Sequence, residues 1–396
     1  MKLRNLALYG MVVLPLLVLT VGVGAKEARS QQPIKIGALV DLTGPIGPGG
    51  VDAKKGIDLA MELLGAPIAG RPVQLILEDA GSDAGVTMDK ARKLVETDKV
   101  VLIIGPVNGG GVVAMSKYAA RVRVPDLPIV NAPDEAANSK WSFIVSALEV
   151  QQGFPVGVYA YDVLGYRTTV GLGADFVAGH DYIEAFNLGF QERGGKVIDV
   201  TYFPEGSNNY VPYFTSLKKA DCLNFWGTPG DMFAAFPQYK ELNMKMPILQ
   251  AEDGGVTASP GMLHLLGDSA IGVVFGTAYL YNADTPGNKE FVAAYQKKYN
   301  ELPSVMSGCG YANVQEALAA LRATGGDTSP DAIWKAMKNL SVDTVRGHVA
   351  FPPENNIVIY DSMIGTITPD MKIKHLATYK VKVQKKNGKF MPVLVQ

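Results

Sequence analysis

Three consecutive glycines, Gly109–Gly111, separate the apolar run Val100–Ile104 from the helical pattern of "GVVAMSKYAARV". A buried strand, a Gly-rich turn and a helix start together make a receptor for an anionic or polar group. The first N–H groups of a helix lack intrahelical acceptors, and glycine lets a ligand approach the backbone. Asn108, Gly109 and Gly110 are therefore candidate ligand contacts. The loop contains no Lys or Arg, which suits a single carboxylate better than a polyphosphate. G-x-x-x-x-G-K-[ST] does not occur, and no G-x-G-x-x-G follows the first strand. The two prolines of "GPIGPGG" also remove donors where a phosphate would need them.

Further candidates stand at the ends of later apolar runs. Phe176 and Trp226 end two of them, Thr228 follows the second, and Glu252 and Asp253 end a third. Aromatic walls with an acid suit a ligand that has an apolar body and an ammonium or amide end. No G-x-S-x-G occurs, and no nucleophile is visibly paired with a base, so an enzyme is not expected. His180, His264, His348 and His375 have no metal-ligand spacing, and neither a metal nor a cofactor is expected. Cys222 and Cys309 are read as buried free thiols, with one disulfide as the alternative. Lys+Arg of 37 against Asp+Glu of 38 gives no basic field, so no nucleic-acid partner is expected.

The elements that position these residues alternate strand and helix. "IKIGALVDL", "RPVQLILED", "VVLIIG" and "LPIVNA" read as strands in the first half; helices lie between them, one with Ile57, Met61 and Leu64 on one face. In the helix "SDAGVTMDKARKLVETD", Ala84, Met88, Ala91 and Val95 are expected to face inward behind a Ser82 or Asp83 cap. The second half repeats the order with "TTVGLGADF", "KVIDVTYF", "CLNFWG" and "MPILQAED". Apolar strands alternating with helices imply parallel sheets covered on both sides. Two such series in 396 residues imply two similar α/β lobes. Ligands bind such sheets beyond the carboxyl ends of their strands. Loops Asp41–Gly50, Gly105–Gly111 and 131–138 should then face Asp175–His180, Gly227–Asp231 and Glu252–Val256 across one cleft. The remaining third supplies "NKEFVAAYQKKYNE", "NVQEALAALRATGG" and "SPDAIWKAMKNL" as helices, with later strands that cross back to complete both lobes.

The N-terminus reads as an export address. Lys2 and Arg4 precede the apolar "LALYGMVVLPLLVLTVGVGA", which ends in Val23-Gly24-Ala25. That order marks a secretory signal peptide over residues 1–25, with an uncleaved membrane anchor as the alternative. No Cys lies near the cleavage point, so a lipid anchor is not expected.

The ordered set "IKIGALVDLTGPIGPGG", "LILEDAGSDAG", "VVLIIGP" and "GDSAIGVVFGTAY" resembles the periplasmic solute-binding proteins of ABC importers, of the branched-chain (Leu/Ile/Val) amino acid-binding type. The resemblance covers nearly the whole chain beyond the leader. It implies a type I periplasmic binding protein: two Rossmann-like lobes with parallel sheets, joined by three hinge crossovers near Ala147–Gly153, Gly276–Tyr279 and Gly365–Pro369. The N-terminal lobe would comprise 34–148 and 277–365, and the C-terminal lobe 149–276 and 366–396. It further implies a monomer that captures a small-molecule ligand between the lobes and delivers it to membrane permease subunits. By the same resemblance the loop at Asn108 and Gly109 takes the ligand carboxylate, and the next loop, with Ala132, Pro133 and Asp134, flanks it. Phe176 packs on the ligand, and Glu252 or Asp253 takes an α-ammonium. Amino acid, amide and aromatic carboxylate all remain open as ligands.

Overall fold

The computed structural model describes residues 32–130, 132–204 and 206–395. The expected signal peptide, residues 1–25, lies outside the described residues. No helix among the described residues is long and apolar enough to cross a membrane.

The first lobe begins with β1 (Ile34–Val40), α1 (Gly47–Leu64), β2 (Val73–Asp79), α2 (Ala84–Arg92), β3 (Leu102–Ile104), α3 (Gly109–Val122) and a short β4 (Asp126–Leu127). Its four strands run parallel in the order β2-β1-β3-β4. Asp83 caps α2 by accepting from the Val86 N–H. The inward face is shifted from the expected one: Thr87, Ala91 and Leu94 are buried, while Met88 and Val95 only flank. Thr87 tolerates burial because its hydroxyl donates to the Asp83 carbonyl at 2.7 Å.

The second series is α4 (Glu149–Asp162), β5 (Thr168–Ala174), α5 (Val177–Glu192), β6 (Lys196–Phe203), α6 (Val211–Ser216), β7 (Cys222–Trp226), α7 (Pro229–Glu241), β8 (Ile248–Gln250), α8 (Pro260–Leu266) and β9 (Val274–Thr277). The chain then adds α9 (Asn288–Tyr299), α10 (Val305–Ala323), α11 (Pro330–Lys338), β10 (Ser341–Thr344), β11 (Gly347–Ala350), β12 (Tyr360–Ile367), β13 (Ile373–Lys386) and β14 (Lys389–Leu394). The second sheet has the order β14-β13-β12-β9-β8-β7-β5-β6. Its β6-β5-β7-β8-β9 part is parallel, and β12, β13 and β14 extend it antiparallel.

Helices α9 and α10 pack on α1, so the chain passes between the lobes three times. Two of the expected crossover positions shift. Glu149–Gly153 already forms the first turns of α4. The third passage lies upstream of Tyr360, because β12 is hydrogen-bonded to β9 and β13; residues 360–365 thus belong to the second sheet, not to the N-terminal lobe. The first and third passages run side by side at Ile144 and Ile357. Each lobe also contains one helix pair in backbone contact. A Cβ on Gly56 of α1 would lie 2.0 Å from the Ser307 carbonyl oxygen of α10, and one on Gly157 of α4 would lie 2.0 Å from that of Phe186 on α5. Only glycine allows these approaches.

In both sheets the strand order reverses next to the founding strand: β1 lies between β2 and β3, and β5 lies between β6 and β7. Crevices at such switch points are where open α/β sheets bind ligands.

Candidate functional site

A cavity of ≈ 480 Å³ is lined by residues that follow the central strands of both sheets. On the first-lobe side, β3 is fully buried and leads to Asn108, the N-cap of α3. The side chain of Asn108 accepts from the Gly111 N–H and donates to Asp41 Oδ1 at 2.7 Å and to Thr87 Oγ1 at 3.4 Å. Asp41 Oδ2 in turn accepts the N–H groups of Val107 and Asn108 at 2.9 and 3.0 Å. Asn108 is thus spent within the fold and does not line the cavity, contrary to the sequence expectation. Gly109 and Gly110 do line it. As the first two residues of α3, they carry N–H groups without intrahelical acceptors.

The next loop divides. Pro133 lines the cavity, as does Glu135. Ala132 does not: it is fully buried and its N–H donates to the Ala147 carbonyl. Asp134 is absent from the lining too; its Oδ2 accepts the Phe390 N–H at 3.5 Å. Asn131 lies outside the described residues.

On the second-lobe side, Phe176 precedes α5 and its ring lies 5.6 Å from that of Trp226, tilted by 56°. Tyr182 stacks on the same indole at 5.0 Å and 22°. Phe176, Trp226 and Tyr182 all line the cavity. Tyr182 escaped the sequence reading, since its place in the α5 pattern marks it as core. Thr228 lines the cavity as the N-cap of α7, but its hydroxyl is bonded to Asp231 at 2.8 Å.

Glu252, just beyond β8, accepts the Trp226 indole N–H at 3.1 Å and the Gly254 N–H at 2.8 Å, both on Oε2. Its other oxygen has no partner among the described residues, and the side chain lines the cavity. Asp253 does not line it: it is fully buried and accepts the Gly255 N–H at 2.7 Å. Of the two expected acids, the turn at 252–255 presents Glu252 and folds Asp253 beneath it.

Glu149 and Gln152 of α4 and Val305, Met306 and Cys309 of α10 add to the wall. These were missed because α4 was unassigned in the sequence and α10 was expected to begin later. Cys309 and Cys222 are both buried and unpaired. Among the described residues, the charged ones lining the cavity are Glu135, Glu149 and Glu252; none of these is basic. Burial raises the Glu149 carboxyl well above its usual range, helped by a hydrogen bond to Asp181. Burial, with Asp253 beside it, also raises Glu252, against the pull of its two N–H donors. The described residues contain no group of three or more His, Cys, Asp or Glu able to hold a metal ion. The arrangement provides free amides at one pole, an acid at another, and an apolar and aromatic wall between. That is equipment for binding.

A family model described as periplasmic binding protein matches residues 33–372. The Leu/Ile/Val-binding protein homolog 6 of Brucella abortus (strain 2308) is 24% identical over 342 residues, covering 84% of this chain and 86% of that protein. A solved ABC transporter substrate-binding protein from Sphaerobacter thermophilus is 29% identical with a TM-score of 0.81, covering 88% of this chain and 98% of that one. A solute binding protein of an ABC transporter from Rhodopseudomonas palustris BisB5, in complex with 3,4-dihydroxy benzoic acid, is 25% identical with a TM-score of 0.79, covering 88% and 97%. The family consists of solute-binding proteins of ABC transporters, not enzymes. With its two-lobed α/β fold and its cavity between paired switch points, the chain belongs to the periplasmic binding protein family.

Proposed function

We propose that this chain captures an α-amino acid with an apolar or aromatic side chain and delivers it, as an exported monomer, to the permease subunits of an ABC importer. In this reading the ligand carboxylate meets the free N–H groups of Gly109 and Gly110. The ammonium meets Glu252, and the side chain lies against Phe176, Trp226 and Tyr182. One observation carries it: among the described residues, the charged ones lining the cavity are all acidic, and they share the wall with a helix start whose first two amides lack intrahelical acceptors. A charge-assisted bond from the ammonium contributes roughly 1.5–3 kcal/mol.

The stacked aromatic wall favours a second reading, an aromatic carboxylate. A protonated Glu252 would then donate to a ring hydroxyl. The Rhodopseudomonas relative holds 3,4-dihydroxy benzoic acid, and the Brucella relative is named for Leu/Ile/Val.

Thermal-shift titration separates these readings. L-leucine and L-phenylalanine should raise the melting temperature, because a ligand that binds only the folded state stabilises it. Their des-amino analogues, 4-methylpentanoate and 3-phenylpropanoate, should have little effect. Equal stabilisation by the analogues or by 4-hydroxybenzoate would remove the ammonium from the reading.

A further inference from the structure

One buried apolar cluster is built from both lobes. Val112 of α3, Ala132, Ala136 and Ile144 of the first lobe share it with Val383 of β13 and Phe390 of β14. The two strands form a hairpin closed by Asn387 (φ 51°) and Gly388 (φ 84°). A two-residue turn with both φ values positive matches the twist of the flanking strands. The hairpin edges the second sheet, yet its polar contacts reach the first-lobe loop. The Phe390 N–H donates to Asp134 Oδ2 at 3.5 Å, and Lys385 Nζ donates to Asn138 Oδ1 at 2.8 Å. Lys385 also lies 5.2 Å over the Phe390 ring. The loop so held is the one that carries Pro133 and Glu135 into the cavity wall.

We propose that this C-terminal hairpin sets the ligand-facing loop 132–138 from across the lobes, with Phe390 as the positioning residue. Its ring joins the apolar cluster that contains Ala132 and Ala136, and its N–H holds Asp134 away from the cavity. The alternative is that the hairpin only finishes the sheet edge, a task its lysines also suit. The inference rests on the cavity being the ligand site, but it is tested without a ligand, so it can fail independently of the amino-acid reading.

The test is amide hydrogen exchange on the unliganded chain. In Phe390→Ala, the amides of 132–138 should exchange at least about tenfold faster while β1 and β7 keep their protection, the signature of a local opening. Phe390→Leu should restore most of the protection. Lys385→Ala, which leaves the apolar cluster intact, should speed the same segment about two- to threefold, because it removes one exposed bond. If Phe390→Ala does not fold, Lys385→Ala and Asn138→Ala carry the test. Unchanged exchange at 132–138, or acceleration shared equally by both sheets, would overturn the proposal.

Discussion

At the residue scale, the three glycines that look alike in sequence have different tasks. A Cβ on Gly110 would meet nothing nearer than Asn108 Oδ1 at 3.8 Å. One on Gly111 would lie 2.7 Å from that oxygen and 2.9 Å from Thr87 Oγ1. Gly110→Val should therefore fold normally yet crowd the free amides. We expect the affinity for the amino acid that binds to fall at least tenfold, about 1.4 kcal/mol, with little change in the melting temperature of the unliganded chain. Gly111→Ala should do the reverse, disturbing the cap and lowering the melting temperature. Calorimetric titration and melting of both variants would check this; wild-type affinity in Gly110→Val would show that the loop only shapes a turn. The loop was legible because helix starts advertise themselves by residue type. Which of Glu252 and Asp253 lines the cavity was not, because a tight turn decides it. The exclusion of Ala132 and Asp134 was equally hidden, since partners far along the chain, Ala147 and Phe390, hold them.

At the element scale, β-branched and aromatic runs bounded by turn residues were easiest to read: β6, Lys196–Phe203, between Gly195 and Pro204, matches its expected span. Helix α4 was hidden because Gly153, Pro155 and Gly157 lower its propensity, and its stability comes from close packing on α5. β14 was hidden as well, although Asn387-Gly388 between Lys-rich alternating runs is a hairpin signal. The start of α3 supplies a prediction at this scale. Asn108 is both an N-cap and a donor to the buried Asp41. Asn108→Ala should cost about 1–2 kcal/mol through the lost cap. Asp caps a helix as well as Asn does, yet Asn108→Asp should be worse than alanine here, because it sets a second carboxylate against Asp41. Chemical denaturation of both variants measures the order. If Asn108→Asp proves the more stable, the Asp41 contact is not the dominant one.

At the scale of the whole molecule, three chain passages bring two switch points to one cavity, and the cost falls on buried acids. Fold class followed from strand–helix alternation, but the antiparallel extension β12–β14 did not, since pairing direction leaves no mark on composition. Beside Glu149 and Glu252, Asp126 is fully buried and bonded to the Ser142 hydroxyl at 2.9 Å, and burial pushes its carboxyl up to about 8. Desolvation, with Asp253 beside it, raises Glu252 as well. A carboxyl whose pKa is raised on folding holds its proton more tightly in the folded state than in the unfolded chain. Its stabilising share is complete below the unfolded value, near 4 for such groups, and is lost as pH rises through the folded value. The carboxylates of half-buried Asp79 and of exposed Asp221 and Asp370 are held low by hydrogen bonds and act oppositely, losing their share only in acid. The melting temperature of the unliganded chain should therefore be highest in mildly acidic solution and should decline from about pH 5.5 to about pH 8.5. Saturating L-leucine, if it binds as proposed, should flatten that decline, because its ammonium favours the ionised Glu252. In Glu252→Gln both effects should shrink. Scanning calorimetry across this window, with and without the amino acid, supplies the measurement. A melting temperature that rises through the window in the unliganded chain would mean that these acids are not carried into the fold protonated, and that the pole opposite Gly109 and Gly110 is already charged before any ligand arrives.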